Sequence, residues 1–424
     1  VIAALLSSRT RVALILVLAT AFVPLAACSD ERYEAERASA AFTTPVHLAA
    51  VPPTVQAGVL PDASRATVIG DEGRLFSLGA PDGDERYLFG EIADIALSPS
   101  GDTVYVLDRM ERQTKAFSRD GRFLFRFGRK GKGPGEYNDP ASIAFLPWNG
   151  QVAVWDVGLQ RLTFVTPAGE TAGTAAPLRQ NDLARMGKKL RAWREGFVLE
   201  LRDDPLAVPA EKQRGYLVRL DTLGRLRDTM ATFAIPGIRG SGITDHGEVI
   251  QTSYLYAPHW TPEPTWDLLP DGEIVLAPGG RYEVYRLAAD GAARYRLARP
   301  WTPARLNRHE RMINLRDAQE NMGLAPQVPT WFLEPFHRKF FARIRPSITG
   351  VLATTGGGFA AERFNADDDP TGRSRTWDEY RADGQPWRTV RFPAGFQPRI
   401  VTADRVYGLR RDTLKVDYLE AFRR

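Results

Sequence analysis

The sequence predicts an all-β fold, a six-bladed β-propeller of four-stranded blades. Three observations lead there: an alternating-strand unit with a Gly-bearing turn keeps returning, equivalent positions of its first two clear copies, such as Asp108 and Asp156, stand 48 residues apart, and the last copy stops one strand short while an unassigned β-like segment stands near the start. A repeat of this period is the signature of blades that bury their faces on one another. Alternation supplies the two faces each strand needs. Length alone decides nothing, because all-β rings keep 424 residues in one domain as readily as two ordinary domains do. With 43% apolar and 25% charged residues the chain is expected to bury a sizeable core.

In chain order, Arg9 and Arg11 precede Val12 to Ala27, an uncharged run that closes on Ala26 and Ala27. Charged, then apolar, then small is the layout of a secretory signal, expected over residues 1–27. The run falls short of the roughly 20 apolar residues a spanning helix needs, and Pro24 interrupts it. Leu25-Ala26-Ala27-Cys28 resembles the lipobox of bacterial lipoproteins. That resemblance implies a lipid on Cys28, and Ser29 in place of an Asp favours the outer membrane. Cys28 is also the only cysteine, so no disulfide forms within the chain. Residues 28–64, rich in Ala, Thr and Pro without sustained periodicity, are expected to be a tether, and residues 65–424 the propeller.

The first unit runs Ile92–Pro99, Thr103–Asp108, Lys115–Phe117, the turn Asp120-Gly121 and Phe123–Phe127. The second runs Ser142–Pro147, Val152–Asp156, Leu162–Phe164 and a turn at Gly169. Asp-Gly supplies the positive φ of a tight hairpin. Further units contain Gly196–Leu201 with Tyr216–Leu220, Trp266–Leu269 with Tyr282–Leu287, and Gly350–Ala353 with Thr376–Tyr380. The sixth unit, Arg399 to Phe422, lacks a strand. Ala66–Ile69 or Arg74–Leu78 is expected to supply it and so cover an exposed edge.

Residues Asp94 to Phe127 and Ser142 to Gly169, with the join Phe127-Gly128-Arg129-Lys130-Gly131-Lys132-Gly133-Pro134-Gly135-Glu136-Tyr137, resemble the NHL repeat family. Thr376 to Phe422 is similar to the closing blades of bacterial six-bladed propeller lipoproteins of that kind. Where NHL repeats carry an Asn after the Asp, this chain has Met110-Glu111 and Gly158-Leu159, so no NHL ligand surface is carried over.

No reaction centre stands out. The glycines of residues 128–136 do not match a Walker loop and mark a connection between blades. Asp108 and Asp156 recur at one place in consecutive units, which points to a turn role in which the carboxylate binds backbone. Asp367-Asp368-Asp369 lacks the spacing of a Ca²⁺ loop, and His47, His246, His259, His309 and His337 show no metal-ligand spacing. Thr302-Pro303 resembles a helix start and Gly323 its end, inside an insertion at 300–346 that also holds Trp331, Phe332 and Phe336. Tyr254, Tyr256, Trp260 and Trp266 form a second aromatic group. Of these, Trp331, Phe332, Phe336, Tyr254, Tyr256 and Trp260 are the candidates for touching a partner, with packing as the competing role.

Arg9 and Arg11 account for two of the 56 basic residues, which leaves 54 against 51 acids from Cys28 onward. Such a balance speaks against nucleic-acid binding. The expectation is a monomeric binding or scaffolding propeller of the cell envelope that recognises a protein or glycan, without a cofactor. The alternative is a hydrolase or lyase whose central channel holds Ca²⁺ or Zn²⁺.

Overall fold

In this computed structural model the described residues are 52–56, 65–177, 185–193, 195–203, 208, 212–235, 239–245, 248–256, 260–302, 305–313, 315, 342, 344–364 and 375–424. They open with three short strands, β1 (Thr54–Gln56), β2 (Thr67–Val68) and β3 (Arg74–Leu78). Blade 1 follows as β4 (Ile92–Leu97), β5 (Thr103–Asp108), β6 (Gln113–Ser118) and β7 (Phe123–Phe127). The glycine-rich join forms a small parallel pair, β8 (Arg129–Lys130) and β9 (Glu136–Tyr137), and leads to blade 2. Blade 2 is β10 (Pro140–Phe145), β11 (Val152–Asp156), β12 (Arg161–Val165) and β13 (Thr171–Ala175).

Blade 3 is β14 (Arg185–Trp193), β15 (Gly196–Asp203), β16 (Arg214–Leu220) and β17 (Leu226–Ala234), followed by a separate hairpin of β18 (Arg239–Asp245) and β19 (Glu248–Tyr256). Blade 4 is β20 (Thr265–Leu268), β21 (Ile274–Ala277), β22 (Glu283–Leu287) and β23 (Ala293–Ala298). Blade 5 is β24 (Ile348–Ala353), β25 (Phe359–Arg363), β26 (Arg375–Tyr380) and β27 (Pro386–Phe392). Blade 6 takes β28 (Phe396–Val401), β29 (Arg405–Arg411) and β30 (Asp417–Arg423) from the end of the chain, and β3 from its start. The chain is a six-bladed propeller of four-stranded blades, as its repeats predict.

Closure pairs Leu78 with Leu419 and Ser77 with Glu420, antiparallel. Arg74–Leu78 therefore closes the ring, while the other candidate, Ala66–Ile69, does different work. Its core, β2, adds a fifth, parallel strand to blade 5, with Thr67 opposite Val390. In the same way β1 adds a fifth strand to blade 4, with Val55 opposite Leu297. The chain thus straps the outer edges of blades 4, 5 and 6 in succession. Residues 54–56 were expected within a free tether; the backbone bond from Arg296 N to Pro53 O (2.9 Å) and the β1 register fix them to the propeller.

The core is divided by interface. One apolar cluster joins blades 6 and 1 through Phe117, Val106, Tyr407 and Leu419, and another joins blades 1 and 2 through Tyr105, Leu107, Tyr137 and Val154. Trp155, Leu199 and Phe197 join blades 2 and 3, and Val198, Leu217, Trp266 and Leu276 join blades 3 and 4. The ring continues with Val284, Phe359 and Tyr380, then with Trp377, Phe396 and Phe422. Middle strands such as β11 are buried on both faces, whereas outer strands such as β7 alternate. Gly121 and Gly291 take φ of +83° and +85° in the third hairpin of their blades, where the Asp-Gly pairs predict them.

The insertion is partly helical, as expected. Helix α1 covers Arg308–Ile313. Its start is a capping box: Asn307 Oδ1 accepts from Glu310 N (2.9 Å) while Glu310 Oε2 accepts from Asn307 N (2.7 Å). The described helix is thus capped at Asn307 and not at Thr302, with Glu310 buried and His309 exposed. Trp331, Phe332 and Phe336 lie outside the described residues.

Candidate functional site at the propeller axis

The six first strands of the blades surround the axis, and five of them break register at the same place. The shift falls between Ile92 and Asp94, Pro140 and Ser142, Gly187 and Leu190, Ile348 and Gly350, and Pro398 and Ile400. A bulge leaves the extra residue unpaired and re-aims its side chain. The skipped residues include Ala93, Ala141, Lys189, Thr349 and Arg399, and all five line one funnel. Its mouth is a cavity of about 710 Å³ framed by blades 6, 1, 2 and 3, and below it lies a chamber of about 420 Å³. Ala93, Ala141, Arg202, Glu263, Gln397 and Arg399 belong to both walls.

Beside the chamber a polar belt ties five blades together. Asp94 of blade 1 accepts from Ile95 N (3.0 Å), and from Ser142 Oγ (2.5 Å) and Ile143 N (3.2 Å) of blade 2. Ser142 Oγ in turn accepts from Leu190 N of blade 3 (3.0 Å). Arg191 donates Nη1 to Asp94 (3.0 Å) and Nε to Asp267 of blade 4 (3.2 Å). Asp267 finally accepts from Ala353 N of blade 5 (2.8 Å). Lys189 sits 3.2 Å from Asp267, donates to the Trp266 carbonyl and lies 4.9 Å over the Trp266 ring.

Burial pushes the Lys189 ammonium below its ordinary value, against the pull of Asp267. The same burial would raise the Asp267 carboxyl, but Lys189, Arg191 and the Ala353 N–H together hold it low. Arg191 is desolvated as well, and Asp94 with Asp267 keeps it charged. Further along the wall, Arg202 donates to Glu200 (2.7 Å) and Glu263 (3.3 Å), and Trp266 Nε1 donates to the other Glu200 oxygen (2.7 Å).

The rim repeats this pairing. Asp417 accepts from Ile92 N across the closing interface (2.8 Å) and takes both arms of Arg411 (2.5 and 2.9 Å). Arg109 forks onto Asp139 (2.6 and 3.1 Å) and stands 3.9 Å from Glu91. The hydrogen bond to Asp139 raises the Arg109 guanidinium above its ordinary value.

The candidates from sequence fall elsewhere. Asp108 and Asp156 are fully buried and act as backbone clasps. Asp108 accepts from Gly90 N, Glu91 N and Glu111 N (2.9, 3.3 and 3.0 Å), and Asp156 repeats the pattern with Asn138 N, Asp139 N and Leu159 N (2.7, 3.1 and 2.9 Å). Trp260 packs edge-on against Phe364 at 5.2 Å. Tyr254 and Tyr256 lie on β19, and their side chains are outside the described part, as are Cys28 and Asp367 to Asp369. Among the described residues no three His, Cys, Asp or Glu side chains group as metal ligands. The funnel residues escaped the sequence reading because they are scattered over all six blades and share no motif. The signal available was the 48-residue spacing of Ala93 and Ala141, just before Asp94 and Ser142.

Residues 82–164 match the family DUF5128, described as a 6-bladed beta-propeller, which spans blade 1 and three strands of blade 2. No curated protein matches the chain. Among solved structures, the chain is similar to a DUF4221 family member from Bacteroides vulgatus, with 11% identity, 82% of this chain and 96% of that one covered, and a TM-score of 0.49. It is similar also to a Bacteroides fragilis protein described as exported, with 11% identity, 88% and 99% covered, and a TM-score of 0.45. A third is a calcium-binding regucalcin from Agrobacterium tumefaciens, with 12% identity, 85% and 97% covered, and a TM-score of 0.43.

Proposed function

We propose that the chain is a binding and scaffolding propeller, held at the bacterial cell envelope by a lipid on Cys28, whose funnel mouth meets an envelope protein or glycan. One observation supports this most. The funnel's charges are engaged with one another and with backbone, so they form a rigid array of donors and acceptors suited to recognition. A metal-dependent hydrolase or lyase would need at least three converging ligands from this wall. Asp94 already takes four donors, and Asp267 takes Lys189, Arg191 and a backbone N–H. A cation there would have to break the belt that joins the blades.

The test is in-cell photo-crosslinking of the full chain from position 157 at the mouth and from position 414, a strongly exposed site away from the funnel wall. A discrete envelope adduct from position 157 alone, lost with Cys28→Ala, is the expected result. No adduct from the mouth, or one Ca²⁺ or Zn²⁺ per chain held on the axis after chelator-free purification, would overturn the reading.

A further inference from the structure

We infer that the funnel takes an uncharged, hydroxyl-rich ligand, the end of a neutral saccharide, selected by the bulge residues of the innermost strands. This rests on the binding reading above and narrows it to a ligand class. The bulges decide which side chains see the ligand. On blades 1 and 2 they present Ala93 and Ala141, and the small side chains leave the chamber open. On blades 5 and 6 they present Thr349 and Arg399, with Gln397 beside them, so a polar wall faces the open side.

Among the described residues the charge of that wall sums to zero. Asp94, Glu200, Glu263 and Glu362 stand against Lys189, Arg191, Arg202 and Arg399 around the chamber. A ligand of either net charge would enter without a compensating excess of the other sign. A terminal carboxylate or ammonium would also compete for pairs such as Arg202–Glu200 or Arg191–Asp94, which lie at 2.7 and 3.0 Å. Hydroxyls face no such conflict. A carboxylate has about four lone-pair sites and a guanidinium five N–H donors, so the Arg202–Glu200 pair, in which Glu200 takes only Arg202 and Trp266 Nε1 among the described residues, retains capacity to accept from and donate to a polyol. The chamber and mouth, about 420 and 710 Å³, fall in the range of roughly 300–1,000 Å³ typical of small-ligand sites, which suits a chain end rather than a folded domain.

The experiment is calorimetric titration of the folded protein with maltose, cellobiose and N,N′-diacetylchitobiose, beside a glucuronate-bearing disaccharide and the zwitterion glycylglycine. Ala141→Trp and the milder Ala93→Leu fill the chamber from two blades without replacing a charged residue, and near-UV circular dichroism checks that each folds. A neutral disaccharide is expected to bind, and to bind about tenfold or more weaker in both variants, with the charged probes at least as weak. Overturning results are no heat from any neutral disaccharide up to about 10 mM, binding that ignores both variants, or preference for glucuronate or glycylglycine. If crosslinking at the mouth succeeds while every saccharide fails, the ligand class falls and the binding reading stands. If both fail, the binding reading falls with it.

Discussion

Asp156 commits its whole carboxylate to three backbone N–H groups, two on the strand approach before β10 and one in the turn after β11. Removing a buried acceptor leaves its donors without water or partner, which costs more than the bond itself was worth. Asp156→Ala is expected to lower stability by about 3 kcal/mol, measured as a lower urea midpoint with unchanged slope. Asp267 makes the corresponding pH argument. Its carboxyl is held below the ordinary 3.8, so on acidification the unfolded chain takes up that proton first. Its contribution is complete above the ordinary value and disappears as the pH falls through the depressed folded one. Acid titration of stability should therefore be steeper for the native chain than for Asp267→Asn, and equal slopes would show that Asp267 is not coupled to folding.

At the scale of elements, the strap has a division of labour. β3 completes blade 6, whereas β1 and β2 only extend blades that already have four strands. Removing residues 1–64 is expected to leave a closed, monomeric ring with a modest loss of stability. Removing residues 1–78 also strips Leu78 from the closing core and exposes the β30 edge, a template for pairing with another chain. Light scattering should then report concentration-dependent association for the second truncation and not for the first.

For the whole molecule, the six apolar clusters each bridge two blades, so no blade keeps a core of its own when its neighbour leaves. Cooperative unfolding follows from that sharing. Tryptophan fluorescence and far-UV circular dichroism should give coincident urea transitions. Phe117→Ala, at the fully buried junction of blades 6 and 1, should shift both together by about 3–5 kcal/mol. Two separated transitions would mean that the ring breaks into independent halves.

The sequence by itself determined what is local or repeated. Alternation in Thr103–Asp108 and Val152–Asp156, the Asp-Gly turns, the paired Asp108 and Asp156 and the missing strand of blade 6 are each legible within one unit or between neighbouring ones. They specify six blades and a closing strand drawn from the start of the chain, with Ala66–Ile69 and Arg74–Leu78 as the two candidates. Tertiary structure alone decided the strap and the funnel. The β1 strand is three residues long and owes its existence to the free edge of β23, supplied by residues about 240 positions later. Likewise the axial side chains share no motif, because the ring collects one bulge from each of five blades, and only closure brings Ala93, Thr349 and Arg399 to one cavity. Local pattern encodes which residues become strands; which strands meet, and which side chains then face the axis, follows from packing across the whole chain.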